Sequence, residues 1–228
     1  MHKKIPRFLI CNGDPNSYKT HGGLPYNLFS TSKKYGLIDS AISFNYNKLK
    51  TSKYIWNFFQ VIKYRSFGGF QWSEFYSDKL TKQIPISPDI EVNILSIYPF
   101  LPHYPWPKKW NIDFYIDATT KQIFKNYLIG KNLNKVYKEK ILKREKINFI
   151  NSKNIICRSS WAAKSLIEDY EISKNKIHIV PGGANIDLNK INQPLYSLPQ
   201  KPSRVNPVIL GFLGIDWDRK GGSFLTSL

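Results

Sequence analysis

The sequence predicts an α/β fold built on a doubly wound parallel sheet. Three observations carry this expectation. Short, nearly all-apolar runs recur at residues 7–11, 154–157 and 177–180, as in strands covered on both faces. Helical stretches separate the runs, which is the alternation of a parallel sheet with crossover helices. A glycine loop, His21-Gly22-Gly23, follows the first run and leads to Pro25, a residue suited to a first helical position. Such a loop would sit at the carboxyl end of a strand, where open α/β sheets bind ligands. A plain turn is the other reading of a lone Gly-Gly pair.

Arg7 to Cys11 is the first expected strand, and residues 12–23 form a loop rich in Gly, Asn, Asp and Pro. The helix that starts near Pro25 carries Leu24, Leu28 and Phe29 toward a core and ends at Gly36. Residues 52–80 are expected to be mostly helical, with a break at Ser66-Phe67-Gly68-Gly69. Tyr54, Ile55, Phe58, Phe59, Val61 and Ile62 form a broad apolar stripe beside Lys53, Lys63, Tyr64 and Arg65. The stripe reads as a core-facing helix with a wet opposite face. Basic and aromatic residues together also suit an interfacial surface.

Residues 91–97 and 113–117 are further strands, with a rigid loop rich in Pro and Trp between them. From Thr119 and Thr120 one long helix is expected to reach about Lys146. Its cations, Lys131, Lys135, Lys138, Lys140, Lys143, Arg144 and Lys146, are offset by Glu139 and Glu145. A charge run of this kind reads as a solvated face. After the strand at 154–157, Ser159 or Ser160 can cap the helix from Trp161 to Tyr170. There Ala162, Leu166 and Tyr170 recur every four residues. His178 alternates within the last strand of this region and is read as structural.

The chain has 228 residues, 42% of them hydrophobic. A chain of this length can bury roughly 70% of its unfolded surface. Lys and Arg number 34 against 16 Asp and Glu, a formal net charge of +18. Anionic partners follow from that balance: nucleic acid, an acidic membrane surface or phosphorylated ligands. Cys11 and Cys157, the two cysteines, have no metal-ligand company and read as reduced core thiols of a cytosolic protein. His2, His21, His103 and His178 are scattered, so no metal site is expected. There is no signal peptide or spanning segment in the pattern.

Pro194, Pro199, Pro202 and Pro207 mark a linker over residues 192–207. The expected organisation is a first domain at 1–191, the linker, and the start of a second domain at 208–228. Val208 to Leu213 reads as a buried strand, and Gly214 opens a turn that carries Arg219, Lys220 and Gly221-Gly222. Two cations and a glycine pair at a helix start suit a phosphate.

Three stretches together resemble glycosyltransferase family 4, the retaining nucleotide-sugar transferases of GT-B fold. The first is Ile155-Ile-Cys-Arg-Ser-Ser-Trp-Ala-Ala-Lys-Ser-Leu166. The second is Lys176-Ile-His-Ile-Val-Pro-Gly-Gly-Ala-Asn-Ile-Asp187, similar to the family's hinge. The third is Gly211-Phe-Leu-Gly-Ile-Asp-Trp-Asp-Arg-Lys-Gly-Gly222, similar to the opening of its donor-binding domain. Asn185 stands where many members have an aspartate, and Ile215-Asp216 where many have an arginine. These departures leave the donor open.

The resemblance implies two Rossmann-like domains that transfer a sugar from a nucleotide-sugar donor to a glycan or lipid-linked acceptor. No cofactor or metal is implied, since the nucleotide-sugar is a substrate. Arg219 and Lys220 would bind the donor diphosphate, and Gly22 and Gly23 would approach it from the first domain. Asp117 could hydrogen-bond the sugar or acceptor. The other reading of Asp117 is a helix cap, by Thr119 or by Asp117 itself. The resemblance further implies a longer second domain with paired glutamates, so the 228 residues alone are expected to transfer no sugar. The expected location is cytoplasmic, with peripheral attachment to an anionic membrane through the basic and aromatic surface. A basic nucleic-acid-binding protein and a non-catalytic remnant are the alternatives. Nucleic acid is not the expected partner, because no recognised binding motif is present.

Overall fold

The computed structural model describes residues 4–44, 49–127, 129–183, 211–212, 217–218 and 220–227. The chain divides into two compact units, Met1–Asn185 and Ile186–Leu228.

The first unit is a Rossmann-like α/β arrangement around one six-stranded sheet. Its strands are β1 (Arg7–Asn12), β2 (Ser40–Phe44), β3 (Val92–Ser96), β4 (Trp110–Ile116), β5 (Asn154–Cys157) and β6 (Ile177–Ile179). They lie in the order β2-β1-β3-β4-β5-β6, and every neighbouring pair is parallel. Helices α1 (Leu24–Lys34), α2 (Lys50–Tyr64), α3 (Glu74–Thr81), α4 (Thr120–Asn126), α5 (Lys135–Asn151) and α6 (Ser160–Glu168) flank the sheet.

The central strands are the most apolar because both of their faces are covered. Leu9, Ile10, Ile94, Ile112, Phe114 and Ile155 are buried there. Phe149 of α5 stacks edge-on against Phe114 and against Tyr170 just past α6. Cys11 and Cys157 are free and buried, and burial pushes their thiols up to about 12 and about 11. Ser159 is the N-cap of α6 and accepts from the Ala162 amide at 3.3 Å. His178 is exposed at the sheet edge, with a ring nitrogen 3.1 Å from Asn154 Oδ1.

Four expectations are corrected. β2 was not predicted, because this edge strand reads SAISF and buries only Ile42 and Phe44. The single helix expected from residue 120 to 146 is two helices, α4 and α5. The chain turns between them at Gly130, where φ is +77° and a Cβ would press on Phe124 and Leu133 at 3.0 and 3.1 Å. Charge in α5 is not confined to a solvated face: Glu145 is fully buried, and Arg144 reaches inward to the Trp72 carbonyl. The stripe on α2 does not face a core, for no described residue of this helix is buried.

In the second unit, helix α7 (Gly222–Leu225) is one short turn. Gly221, with φ +82°, precedes it and donates its amide to the Asp218 carbonyl at 3.1 Å. Gly222 passes against the Trp217 ring, where a Cβ would lie 2.2 Å from Cδ2. Gly211 and Phe212 carry no regular structure. The rest of the expected strand at 208–213 and the linker at 192–207 lie outside the described residues.

Candidate functional site

Strand order locates the site. From β1 the chain moves one way to β2, then crosses back to place β3 on the other side of β1. Where the order reverses, the loops at the strand carboxyl ends diverge and leave a crevice. A cleft of about 580 Å³ occupies that position. Asn12 comes from the end of β1, Ile97 and Tyr98 from just past β3, Tyr115 and Asp117 from the end of β4, and Arg158 from just past β5. His21 and Leu24 border it from the glycine loop, and Gln71 and Trp72 from the segment before α3.

Each polar group is held by a local reason. Asp117 is the first residue past β4 and is exposed into the cleft. It is not the cap of the following helix. Thr119 has that role, and forms a reciprocal capping box with Gln122: the Gln122 amide donates to Thr119 Oγ1 at 3.3 Å, and the Thr119 amide to Gln122 Oε1 at 3.1 Å. The Thr119 hydroxyl also lies 2.8 Å from Ser165 Oγ of α6.

Behind this turn sits Glu145. Its carboxylate accepts from the Thr120 amide at 3.1 and 3.0 Å, from Thr120 Oγ1 at 2.7 Å and from the Tyr170 hydroxyl. Burial pushes its carboxyl up to about 7, and the three donors oppose that shift. The start of α4, and with it the loop that carries Asp117, is therefore fastened to α5 and to the end of α6.

Arg158 donates its backbone amide to the Ile116 carbonyl at 3.0 Å, which extends the β4–β5 pairing by one residue. Its guanidinium lies against Gly182, where a Cβ would be 2.5 Å from Nη2. Tyr98 and Trp72 form an apolar wall: the Tyr98 hydroxyl donates to the Gln71 carbonyl, and Trp72 stacks edge-on against Phe124. Burial holds the Tyr98 hydroxyl well above its ordinary pKa, so it stays neutral.

The glycine pair falls beside the cleft rather than on its wall, which His21 and Leu24 on either side line. His21, Gly22 and Gly23 have φ of +45°, +64° and +81°, all left-handed. An added Cβ at Gly22 would meet nothing within 4 Å, whereas at Gly23 it would lie 3.3 Å from Asn27 Nδ2. Lys220 is exposed in the second unit. Arg219, Gly214, Ile215, Asp216 and Asn185 lie outside the described residues.

The structure thus brings Asp117 together with the neighbourhood of Gly22 and Gly23. It adds His21, which the sequence placed only as part of the glycine loop, and Asn12, Arg158, Trp72, Tyr98 and Tyr115, which the sequence did not single out as a site. One signal would have found two of them: Asn12 and Arg158, like Asp117, end or follow an apolar strand run, and strand carboxyl ends are where such sheets bind. Among the described residues, no group of three or more His, Cys, Asp or Glu could hold a metal ion. No family model matches the chain, and neither a curated protein nor a solved structure does.

Proposed function

We propose that the chain is a glycosyltransferase of the family 4 type, with the first unit as the acceptor-side domain of a GT-B architecture. The observation that carries this reading is the cleft at the reversal of strand order, which Asp117, Arg158, His21, Trp72 and Tyr98 line together. Sugars are recognised by such mixed surfaces. Aromatic faces take the apolar face of a pyranose ring, and a carboxylate accepts from its hydroxyls. Arg158 supplies a fixed cation for phosphate, with a fork that matches two oxygens.

The chemistry assigned to these groups follows. When a sugar leaves a nucleoside diphosphate, the leaving oxygen gains charge as the glycosidic bond breaks. Cations held in place before that moment stabilise the transition state more than the ground state. In this reading Arg158 serves the diphosphate from the first unit, and the family resemblance implies the same role for Gly22, Gly23, Arg219 and Lys220. Asp117 orients the sugar or the acceptor hydroxyl. The retaining outcome is the one that the family resemblance implies.

Thermal-shift titration with a panel of nucleoside-diphosphate sugars and oligosaccharides tests the reading. One class of sugar nucleotide should stabilise the chain by about 2.7 kcal/mol at a hundredfold excess over Kd. Asp117→Ala and Arg158→Ala should each remove that gain. Stabilisation by duplex DNA and by no member of the panel would contradict it.

A further inference from the structure

Helix α2 is amphipathic in the wrong sense for a helix that completes a core. Its inner face packs: Trp56 sits edge-on to Phe70 and tilted to Tyr137, with centroids 5.8 and 5.6 Å away, and Asn57 Oδ1 accepts from the Gly68 amide at 3.2 Å. Its outer face carries Tyr54, Ile55, Phe58, Phe59, Val61 and Ile62. Tyr54 is 71% exposed, Phe58 63% and Phe59 62%. At about 100° per residue these six fall within one half of the helix circumference, opposite Trp56, Gln60 and Tyr64. Phe67, on the loop that follows, is exposed as well.

Cations border the stripe. Lys50 lies along one flank of the stripe and Lys63 along the other, and the helix contains no Asp or Glu. Lys131 lines the same groove as Lys53 and Phe67, and Lys140 of α5 donates to the Tyr64 hydroxyl at 3.1 Å.

We propose that the outer face of α2 docks on an anionic lipid surface, with the aromatic and aliphatic side chains in the acyl–headgroup boundary and the lysines at the phosphates. The pattern is that of a helix lying in the interface plane. Lysines on the flanks can place their stems along the apolar layer and their ammonium groups among headgroups. A second copy of the chain is a poorer occupant. A two-fold contact through α2 would set its lysines against their own copies with no carboxylate on the helix to pair them. Gln71 and Trp72, a few residues past α2, line the cleft, so docking would hold that cleft close to the lipid surface. The attachment does not depend on the cleft transferring a sugar.

Vesicle co-sedimentation of the full chain at low salt tests the proposal. Vesicles of mixed phosphatidylglycerol and phosphatidylcholine should bind at least tenfold more protein than pure phosphatidylcholine, and added salt should weaken that binding. Lys50→Gln with Lys63→Gln should lower the partition coefficient about 30-fold. Phe58→Ser with Phe59→Ser should lower it about 100-fold. Because these side chains are exposed, the circular dichroism and Tm of each variant should match those of the parent, which separates lost binding from lost folding. Absence of binding, equal binding to both vesicle types, or full binding by the double phenylalanine variant would overturn the proposal. A dimer in solution that Phe58→Ser dissociates would also overturn it.

Discussion

α2 and α5 are both long, both basic and both studded with apolar residues. α5 buries Tyr137, Ile141, Glu145, Asn148 and Phe149, whereas α2 buries none of its described residues. The sequence suggests a core-facing stripe for α2 and a solvated, charged face for the α5 region. The difference lies in what each helix meets. α5 lies against β4 and α6 and is held there by the Phe114–Phe149–Tyr170 stack and by Glu145. α2 meets the unit through a narrow strip, Trp56, Asn57 and Tyr64, and leaves its widest apolar stripe outward. Apolar periodicity tells which side of a helix is greasy. It does not tell what covers that side.

Substitutions can break or sharpen this contrast. The largest effect is expected at Phe149, which is fully buried among two other rings. Phe149→Ala should cost about 3–5 kcal/mol in chemical denaturation, through lost transfer energy and the cavity that remains. A loss of less than about 1 kcal/mol would show that α5 is not the anchored helix.

Next is Glu145. In the folded chain its carboxyl keeps a proton up to about pH 7, while its ordinary value is 4.5. Between those pH values the folded state is the more protonated one, so its contribution to stability falls as pH rises. Over the window the fall should total about 3 kcal/mol. Glu145→Gln should abolish it, so the stability difference between parent and variant should change with pH across 4.5–7 and be flat below. Parallel profiles would contradict the assignment.

The smallest effect is expected on α2. Phe58→Ala should change stability by no more than about 0.5 kcal/mol, because the ring is exposed in the folded chain. A loss near that of Phe149→Ala would mean that the outer face is packed.

Much of the fold was legible in the residues. β1, β3 and β5 are expected from the sequence close to their observed bounds, because covered parallel strands are rich in apolar residues; β4 starts three residues earlier, at Trp110, and β6 is an edge strand with no buried residue rather than one covered on both faces. β2 escaped because an edge strand covered on one side needs only alternate apolar residues, and Ser40 and Ser43 occupy the others. The break at residues 127–134 escaped because one glycine among lysines and asparagines leaves the helical pattern intact on either side. Within the site, Asp117 was reachable because it ends an apolar run. Trp72 was not. It enters the cleft from a segment between two helices, and only the clustering of Trp72 with Tyr137 and Ile141 of α5 and Phe124 of α4 places it there. Glu145 was read as a solvated charge for a similar reason: its burial depends on Thr120 and Tyr170, both about 25 residues away in the chain.

The central claim is that the cleft at the strand-order reversal binds the sugar end of a nucleotide sugar. Tryptophan indole signals in an NMR titration test it most directly. Trp72 lines the cleft, whereas Trp110 opens β4 at its amino-terminal end, away from the strand carboxyl ends that border the cleft. On addition of the nucleoside-diphosphate sugar that stabilises the chain, the Trp72 indole should shift, Trp110 should stay in place, and Asp117→Ala should suppress the Trp72 response. A response at Trp110 with none at Trp72, or a Trp72 shift that survives Asp117→Ala unchanged, would contradict the claim.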